Sequence, residues 1–247
     1  MSRKSNLEML AYDRTALGEL CLRRRELLSQ PGTIITEVTL DHELLMSSFV
    51  TDSERALARR GLAQHPGRAL RVLIGGLGLG YTAHEVFVAG GERVARVEVV
   101  EFLPAMIGWV ARGLVSLSEA LAAEPRLTVV EGDVYARLAE APAEAGAAGG
   151  DAAEADTRWD LILIDVDHSP DERLGGSNAD FYTEAGLRRA RAHLAEGGVL
   201  GVWSYAEDSA FARAMRAVFR DVEVEGVTVV NELVGEAQTD WVFFGRR

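Results

Sequence analysis

The stretch that decides the fold of this chain is Arg71-Val72-Leu73-Ile74-Gly75-Gly76-Leu77-Gly78-Leu79-Gly80-Tyr81-Thr82. A short apolar run of this kind is typical of a buried strand, and the alternating glycines that follow it are typical of a tight turn into a helix. Because glycine has no Cβ, Gly76, Gly78 and Gly80 let the backbone turn sharply and approach a ligand closely. The pattern predicts the nucleotide-binding turn of a doubly wound α/β fold.

Acidic residues end three further strand-like runs downstream of the glycines. Glu101 ends the first of them, about 20 residues past the last glycine, which is the spacing at which a carboxylate meets ribose hydroxyls. Asp133 follows the second run, and Asp165, Asp167 and His168 follow the third. Because ligands bind outside the carboxyl ends of the strands in an open α/β sheet, we expect these side chains to share one site.

Strand-like and helix-like segments alternate from Leu70 onward, which predicts right-handed crossovers and a mostly parallel sheet. The final two strands follow one helix closely, so we expect them to form an antiparallel hairpin. The sequence therefore predicts a Rossmann-like sheet of seven strands. The predicted strands are 70–75, 96–101, 127–131, 159–165, 198–203, 226–231 and 238–245, and the predicted helices are 81–90, 104–122, 180–195 and 207–219.

The first part of the chain has a different pattern and divides the sequence into two predicted units. Residues 1–65 form an N-terminal extension, and residues 66–247 form the nucleoside-binding domain. The extension contains a β-branched run, Thr33 to Leu40, which we expect to pair with Leu44 to Val50 as a hairpin, followed by a helix over Ser53 to Ala63. We interpret Arg23 to Arg25 as a solvated helix face, with the binding of a ligand carboxylate as the alternative.

Composition limits the classes of partner. The 247 residues carry a net charge of −12, which repels phosphate backbones and anionic membranes, so we expect no nucleic acid and no membrane as partners. A small cationic substrate would instead be attracted. The single cysteine excludes an internal disulfide. The start of the chain does not resemble a signal peptide, and no long apolar run follows it, which predicts a cytoplasmic protein.

The glycine run, Glu101, Gly132-Asp133 and the turn at Asp165 resemble the polyamine aminopropyltransferases, the spermidine synthase family, and more broadly the methyltransferases that use S-adenosylmethionine. The resemblance implies that Glu101 holds the ribose, that Asp133 lies by the adenine amino group and that Asp165 helps to deprotonate the attacking amine. It also implies S-adenosylmethionine or decarboxylated S-adenosylmethionine as the cofactor, a small-molecule acceptor such as an amine, and a homodimer.

The chain departs from the family pattern at two positions. Leu79 stands where the family has a loop acid that holds the amine of the decarboxylated cofactor, and His168 stands where the family's turn has its second acid. The loss of the loop acid favours methyl transfer slightly over aminopropyl transfer. A nucleoside-binding scaffold without catalysis is the alternative from another class, and a dehydrogenase fits the pattern least.

The turn after the fourth strand offers two candidates for the base. Asp165, near a second carboxylate at Asp167, is expected to have a raised pKa and to accept a proton. His168 is the rival, since imidazole titrates near neutral pH, although the segment also suits a loop and a helix cap. A metal ion there would need ligands from elsewhere in the chain, so no metal is predicted. For Trp203 we expect packing in the core rather than in the acceptor pocket.

Overall fold

The computed structural model describes residues 7–142, 158–166, 180–207, 209–231 and 236–247. The first of its two sheets is antiparallel, with four strands side by side in chain order. These strands are β1 (Leu7–Thr15), β2 (Gly18–Glu26), β3 (Ile34–Leu40) and β4 (Glu43–Ser47). The predicted hairpin is present as β3 and β4, and it turns at Asp41 and His42, which have φ angles of 47° and 74°.

Strand β2 corrects the interpretation of the arginine run as a helix face. Leu20 and Leu22 are fully buried, while Arg23 and Arg25 point to the other face of the strand. There both guanidinium groups bond to Glu37 of β3, which is paired with Arg23 in the sheet. The alternation of faces along a strand thus collects the two arginines on one buried carboxylate.

The second sheet has seven strands, and their spatial order confirms the predicted architecture. The order is β10-β11-β9-β8-β5-β6-β7; β11 is antiparallel to both of its neighbours, β10 and β9, and the other pairings are parallel. The bounds are β5 (Leu70–Gly75), β6 (Val94–Glu101), β7 (Leu127–Glu131), β8 (Trp159–Ile164), β9 (Leu194–Ser204), β10 (Arg220–Asn231) and β11 (Glu236–Arg246).

The α-helices of the described chain are α1 (Asp52–Gln64), α2 (Tyr81–Gly90), α3 (Pro104–Ala111), α4 (Ser118–Ala122), α5 (Val134–Ala139), α6 (Glu184–Ala192) and α7 (Ser209–Val218), and a 3₁₀ helix covers Gly91–Arg93. The prediction of one continuous helix over 104–122 is wrong, because Gly113, with a φ of 77°, ends that helix between α3 and α4. In the described part of the chain, no helix has both the length and the apolar character needed to span a membrane.

Helices cover both faces of the seven-stranded sheet, which explains its uninterrupted apolar strands. Along β8, Ile162 faces a core that includes Leu187 of α6, while Leu161 faces a core that includes Leu57 of α1. Helix α1 lies against α2, β8, β9 and β11. This packing brings the first turn of α1 toward the carboxyl end of β8.

A buried carboxylate joins α1 to α2. Glu85 is 1% exposed, and it accepts a hydrogen bond of 2.7 Å from Arg55 Nη1 and one of 2.6 Å from Arg59 Nε. Burial raises the pKa of Glu85, but the hydrogen bonds and charges of the two arginines outweigh burial and lower it below its usual value. The ionised carboxylate therefore fixes the position of α1 beside the site.

Candidate functional site

The glycine loop between β5 and α2 runs directly against the end of β8. Gly76, Gly78 and Gly80 have φ angles of 93°, 51° and 89°, a range that L side chains rarely adopt. A Cβ on Gly76 would also collide with the backbone oxygen of Asp165. The predicted requirement for glycine thus has a steric cause, and the loop brings Asp165 next to the residues at 76–78.

One cavity, which we call the inner cavity, has a volume of about 310 Å³ at this edge of the sheet. Its wall contains most of the predicted cofactor-binding residues: Gly76, Gly78, Glu101, Asp133 and Asp165. Gly80 is not part of this wall; it forms the N-cap of α2. Leu17, Leu45 and Met46 of the N-terminal segment cover the cavity, and its apolar side is formed by Val100, Phe102, Leu103, Met106, Val134, Tyr135 and Val166.

Glu101 connects the end of β6 to the glycine loop. Its Oε2 accepts a hydrogen bond of 2.7 Å from the Leu77 N–H, and its Oε1 accepts one of 2.7 Å from the Leu103 N–H. Burial raises the pKa of Glu101, and these backbone N–H groups oppose that rise. The carboxyl group is buried in the wall of the inner cavity, where an ionised carboxylate can also accept hydrogen bonds from hydroxyl groups.

Asp133 has a structural role as well as a place in the cavity wall. Its Oδ1 accepts hydrogen bonds from the Tyr135 N–H at 2.8 Å and from the Ala136 N–H at 3.2 Å, and so caps α5. Helix α5 itself was not predicted from the sequence. The cap fixes the Asp133 carboxylate in the wall of the inner cavity.

A second cavity, which we call the outer cavity, adjoins the first and has a volume of about 470 Å³. Five residues belong to the walls of both cavities: Leu45, Met46, Gly78, Asp165 and Val166. Four carboxylates and one guanidinium group line the outer cavity in the described part of the chain: Glu37, Glu54, Asp165, Asp240 and Arg25. Asp165 is the only ionisable residue common to both described walls, so it marks the junction of the two cavities.

The carboxylates of the outer cavity fall into two groups. Glu37 is neutralised, since it bonds to Arg23 Nε over 2.8 Å and to Arg25 Nη2 over 2.7 Å. These bonds outweigh the effect of burial and lower the pKa of Glu37. Glu54, Asp165 and Asp240 form no ion pair with any described residue. The outer cavity is therefore suited to a cation.

Two of these carboxyl groups have strongly raised pKa values. Burial, followed by the charge of Asp165, raises the pKa of Glu54 to about 8. Burial raises the pKa of Asp165 to about 6, with a further contribution from the charge of Asp240 and an opposing hydrogen bond from Thr82. A carboxyl group with a pKa near neutrality at the junction of two cavities can accept a proton from a bound group.

Two other predicted features of the site have defined places. Leu79 is 4% exposed and lies in the buried cluster that contains Leu20 and Val38, so the position of the family's loop acid has no charge. Trp203 packs partly against the sheet core, as predicted, but it also lines the outer cavity. In the described part of the chain no atom accepts a hydrogen bond from its buried Nε1.

The sequence analysis missed Glu54 and Asp240, and part of its site lies beyond the described residues. Asp240 follows the polar residues Gln238 and Thr239 in β11, and an acid in the first turn of a helix such as Glu54 is ordinary, so the sequence carried no clear signal for either residue. Asp167 and His168 lie outside the described residues. Their roles stay predictions.

Comparison with solved structures identifies the fold. Neither a family model nor a curated protein matches the sequence. A spermidine synthase in complex with the transition-state analogue AdoDATO aligns with a TM-score of 0.71 and 18% identity, over 96% of this chain and 73% of that chain. The spermidine synthase of Thermotoga maritima aligns with a TM-score of 0.68 and 15% identity, over 96% and 72% of the two chains.

A methyltransferase also matches. Human methyltransferase-like protein 13 in complex with SAH aligns with a TM-score of 0.50 and 20% identity, over 79% of each chain. The fold is thus that of the spermidine synthases, within the wider fold of the methyltransferases, as the sequence resemblance predicted.

Proposed function

We propose that this protein is a transferase that moves an alkyl group from S-adenosylmethionine, or from its decarboxylated form, to the nitrogen of a small amine. The observation that carries the proposal is the meeting of two cavities at Asp165. One cavity has the features of a nucleoside site, and three carboxylates of the other, Glu54, Asp165 and Asp240, form no ion pair with a described cation.

The inner cavity fits the donor nucleoside. Glu101 offers a carboxylate for the ribose hydroxyls, and the backbone of the glycine loop leaves room for a ligand beside Gly78. Leu103, Met106 and Tyr135 provide an apolar wall for the base. The ligands named in the matching structures, AdoDATO and SAH, support a donor of this class.

The outer cavity fits an amine acceptor. The carboxyl groups of Glu54 and Asp240 can accept hydrogen bonds from an ammonium group, and the ring of Tyr81 lies in the same wall. When a sulfonium donor is bound, it supplies an activated carbon and a neutral leaving group. The remaining requirements are alignment of the amine, removal of its proton and exclusion of water. Asp165 accepts the proton at the junction, and Leu45 and Met46 cover the junction from the N-terminal sheet.

Two donors are candidates, and a different residue favours each. Leu79 favours methyl transfer from intact S-adenosylmethionine, because a loop acid at this position would repel the methionine carboxylate. Aminopropyl transfer is the second candidate, because Glu54 of α1 provides a carboxylate in the acceptor cavity that could hold a free amine of the decarboxylated donor. Of the two reactions, we propose methyl transfer as the first candidate.

The test is an activity assay with each donor and a panel of diamines and polyamines, read by mass spectrometry. The proposal expects a methylated or an aminopropylated amine with one of the two donors. The same assay with Asp165→Asn shows whether the transfer depends on the proposed base. If nucleosides bind and no amine is alkylated, the protein is a nucleoside-binding scaffold and the proposed function is wrong.

A further inference from the structure

We propose that Glu54 and Asp165 form a coupled carboxyl pair, which holds one proton in the free protein and releases it when the ammonium group of the acceptor enters the outer cavity. The inference rests on the proposed function for the identity of the cation. The arrangement of the pair itself depends only on the packing of α1 against the end of β8.

Thr82 links the carboxyl group of Asp165 to the backbone of Glu54, and both side chains line the same cavity. The Thr82 Oγ1 lies 2.5 Å from Asp165 Oδ2 and 3.4 Å from the backbone oxygen of Glu54. Thr82 is 3% exposed, so its hydroxyl is a fixed link between the first turn of α1 and the carboxyl end of β8. Both carboxyl groups line the outer cavity, and Ser53 Oγ donates to Glu54 Oε2 over 3.0 Å.

The charged groups around the pair disfavour two negative charges. On β11, Asp240 adds a third carboxylate to the same wall. Arg25 of β2 forms an ion pair with Glu37 of β3. On α1, Arg55 is bonded to Glu85 and lies 5.1 Å from the centre of the Tyr81 ring.

No described cation is therefore left to neutralise a doubly ionised pair. The pKa values agree with this geometry, since Asp165 ionises at about 6 and its charge helps to raise the pKa of Glu54 to about 8. At neutral pH the pair holds one proton, mainly on Glu54.

An incoming ammonium group supplies the missing positive charge. It favours the ionised form of Glu54, which releases its proton to solvent and leaves two carboxylates beside the ammonium. Glu54 then holds the cation, and Asp165 takes a proton from its nitrogen. The freed lone pair forms the new N–C bond, the C–S bond breaks with its electrons going to sulfur, and the proton on Asp165 leaves to solvent after the product departs.

The first test is a titration of the free protein labelled with ¹³C at its glutamate carboxyl carbons. We expect the Glu54 signal to titrate above the normal range of glutamate, and Asp165→Asn to move this titration to lower pH because the neighbouring charge is removed. Glu54→Gln assigns the signal. An unchanged Glu54 titration in Asp165→Asn would overturn the coupling, whatever the protein catalyses.

The second test is calorimetry with 1,4-diaminobutane at neutral pH, in the presence of methylthioadenosine, in two buffers with different ionisation enthalpies. The wild-type protein should release about one proton per bound diamine, and Glu54→Gln should release close to none. Asp52→Asn, an exposed acid in the same helical turn, should behave like the wild type.

Equal proton release by the wild type and Glu54→Gln would overturn the proposed role of Glu54, as would binding of the diamine without any proton release. Failure of the proposed function gives a different pattern. In that case no donor alkylates the diamine, while the coupled titration of Glu54 and the release of a proton persist.

Discussion

The hydroxyl group of Thr82 donates a hydrogen bond of 2.5 Å to Oδ2 of Asp165, and so joins the first turn of α2 to the carboxyl end of β8. Burial raises the pKa of Asp165, while this hydrogen bond lowers it. The balance keeps the pKa at about 6, which leaves the carboxylate ionised but basic enough to accept a proton at neutral pH. A buried hydroxyl in α2 thus lowers the pKa of Asp165, the residue that lines both cavities.

Removal of the Thr82 hydroxyl should shift the pH dependence of the transfer reaction. In Thr82→Val the stabilising hydrogen bond to ionised Asp165 is lost, so the pKa of Asp165 rises and the acidic limb of kcat/KM moves to higher pH. A pH profile of the variant checks this, and Thr82→Ser, which keeps the hydroxyl, should retain the wild-type profile. A shift to lower pH would contradict the assigned effect of the hydrogen bond.

Asp165→Asn should abolish most of the turnover without abolishing donor binding. General-base catalysis typically contributes about 10²–10⁴-fold to a rate, and the amide cannot accept the proton. Steady-state kinetics measure the loss, and calorimetry with methylthioadenosine measures binding. If turnover falls by less than about tenfold, another group is the base, with His168 as the sequence-based alternative.

Glu101→Ala should weaken the binding of methylthioadenosine by about 1–3 kcal/mol, because ribose hydroxyls and two loop N–H groups lose their acceptor. Calorimetric titration checks the affinity, and hydrogen exchange at residues 76–80 checks the order of the glycine loop. Glu131→Ala is the matched control, since Glu131 is an exposed acid at the end of the neighbouring strand. Equal affinity in both variants would contradict the ribose role.

Glu85→Gln should destabilise the fold by about 1–3 kcal/mol, because two hydrogen bonds to a buried ionised group are weakened. The pKa of Glu85 is lower in the folded state than its usual value of 4.5. Its contribution is therefore present above that value and is lost as the pH falls through the folded pKa. Urea unfolding of Glu85→Gln beside the exposed control Glu92→Gln should differ at neutral pH and converge in acid.

Glu54 should have the opposite effect on stability. The pKa of Glu54 rises from 4.5 in the unfolded chain to about 8 in the folded protein. The contribution of the protonated side chain to the free energy of unfolding is therefore fully present below pH 4.5, and it is lost as the pH rises through the folded pKa. The stability of the wild type should therefore fall between about pH 4.5 and about pH 8, and Glu54→Gln should reduce this fall. Urea unfolding across this range measures it, and identical slopes for the two proteins would exclude a raised pKa.

Much of the fold could be predicted from local patterns. The strand at 70–75 and the helix at 81–90 coincide with the structure, because an apolar run, a glycine turn and a helical segment each have a strong local cause. Strand β2 was missed because three adjacent arginines hide the alternation of apolar and polar residues, although Leu20 and Leu22 are spaced two residues apart, as on one face of a strand. Helix α5 has six residues, too few for a clear periodic signal.

The sequence could predict only those site residues that follow neighbouring strands of the sheet. Glu101 and Asp133 end neighbouring strands, so the topology alone brings them to one edge. Glu54 reaches that edge because α1 packs against β8, β9 and β11, and this packing depends on contacts distant in sequence. For the same reason, the sequence indicated the residues of the inner cavity better than those of the outer cavity.

The most direct test of the account is a calorimetric titration of the protein with S-adenosylmethionine, decarboxylated S-adenosylmethionine and methylthioadenosine side by side, repeated with Glu101→Ala. The account predicts binding of at least one sulfonium donor and a loss of that affinity in the variant. A preference for the intact donor would favour methyl transfer, and a preference for the decarboxylated donor would favour aminopropyl transfer. Failure of all three nucleosides to bind the wild-type protein would contradict the account.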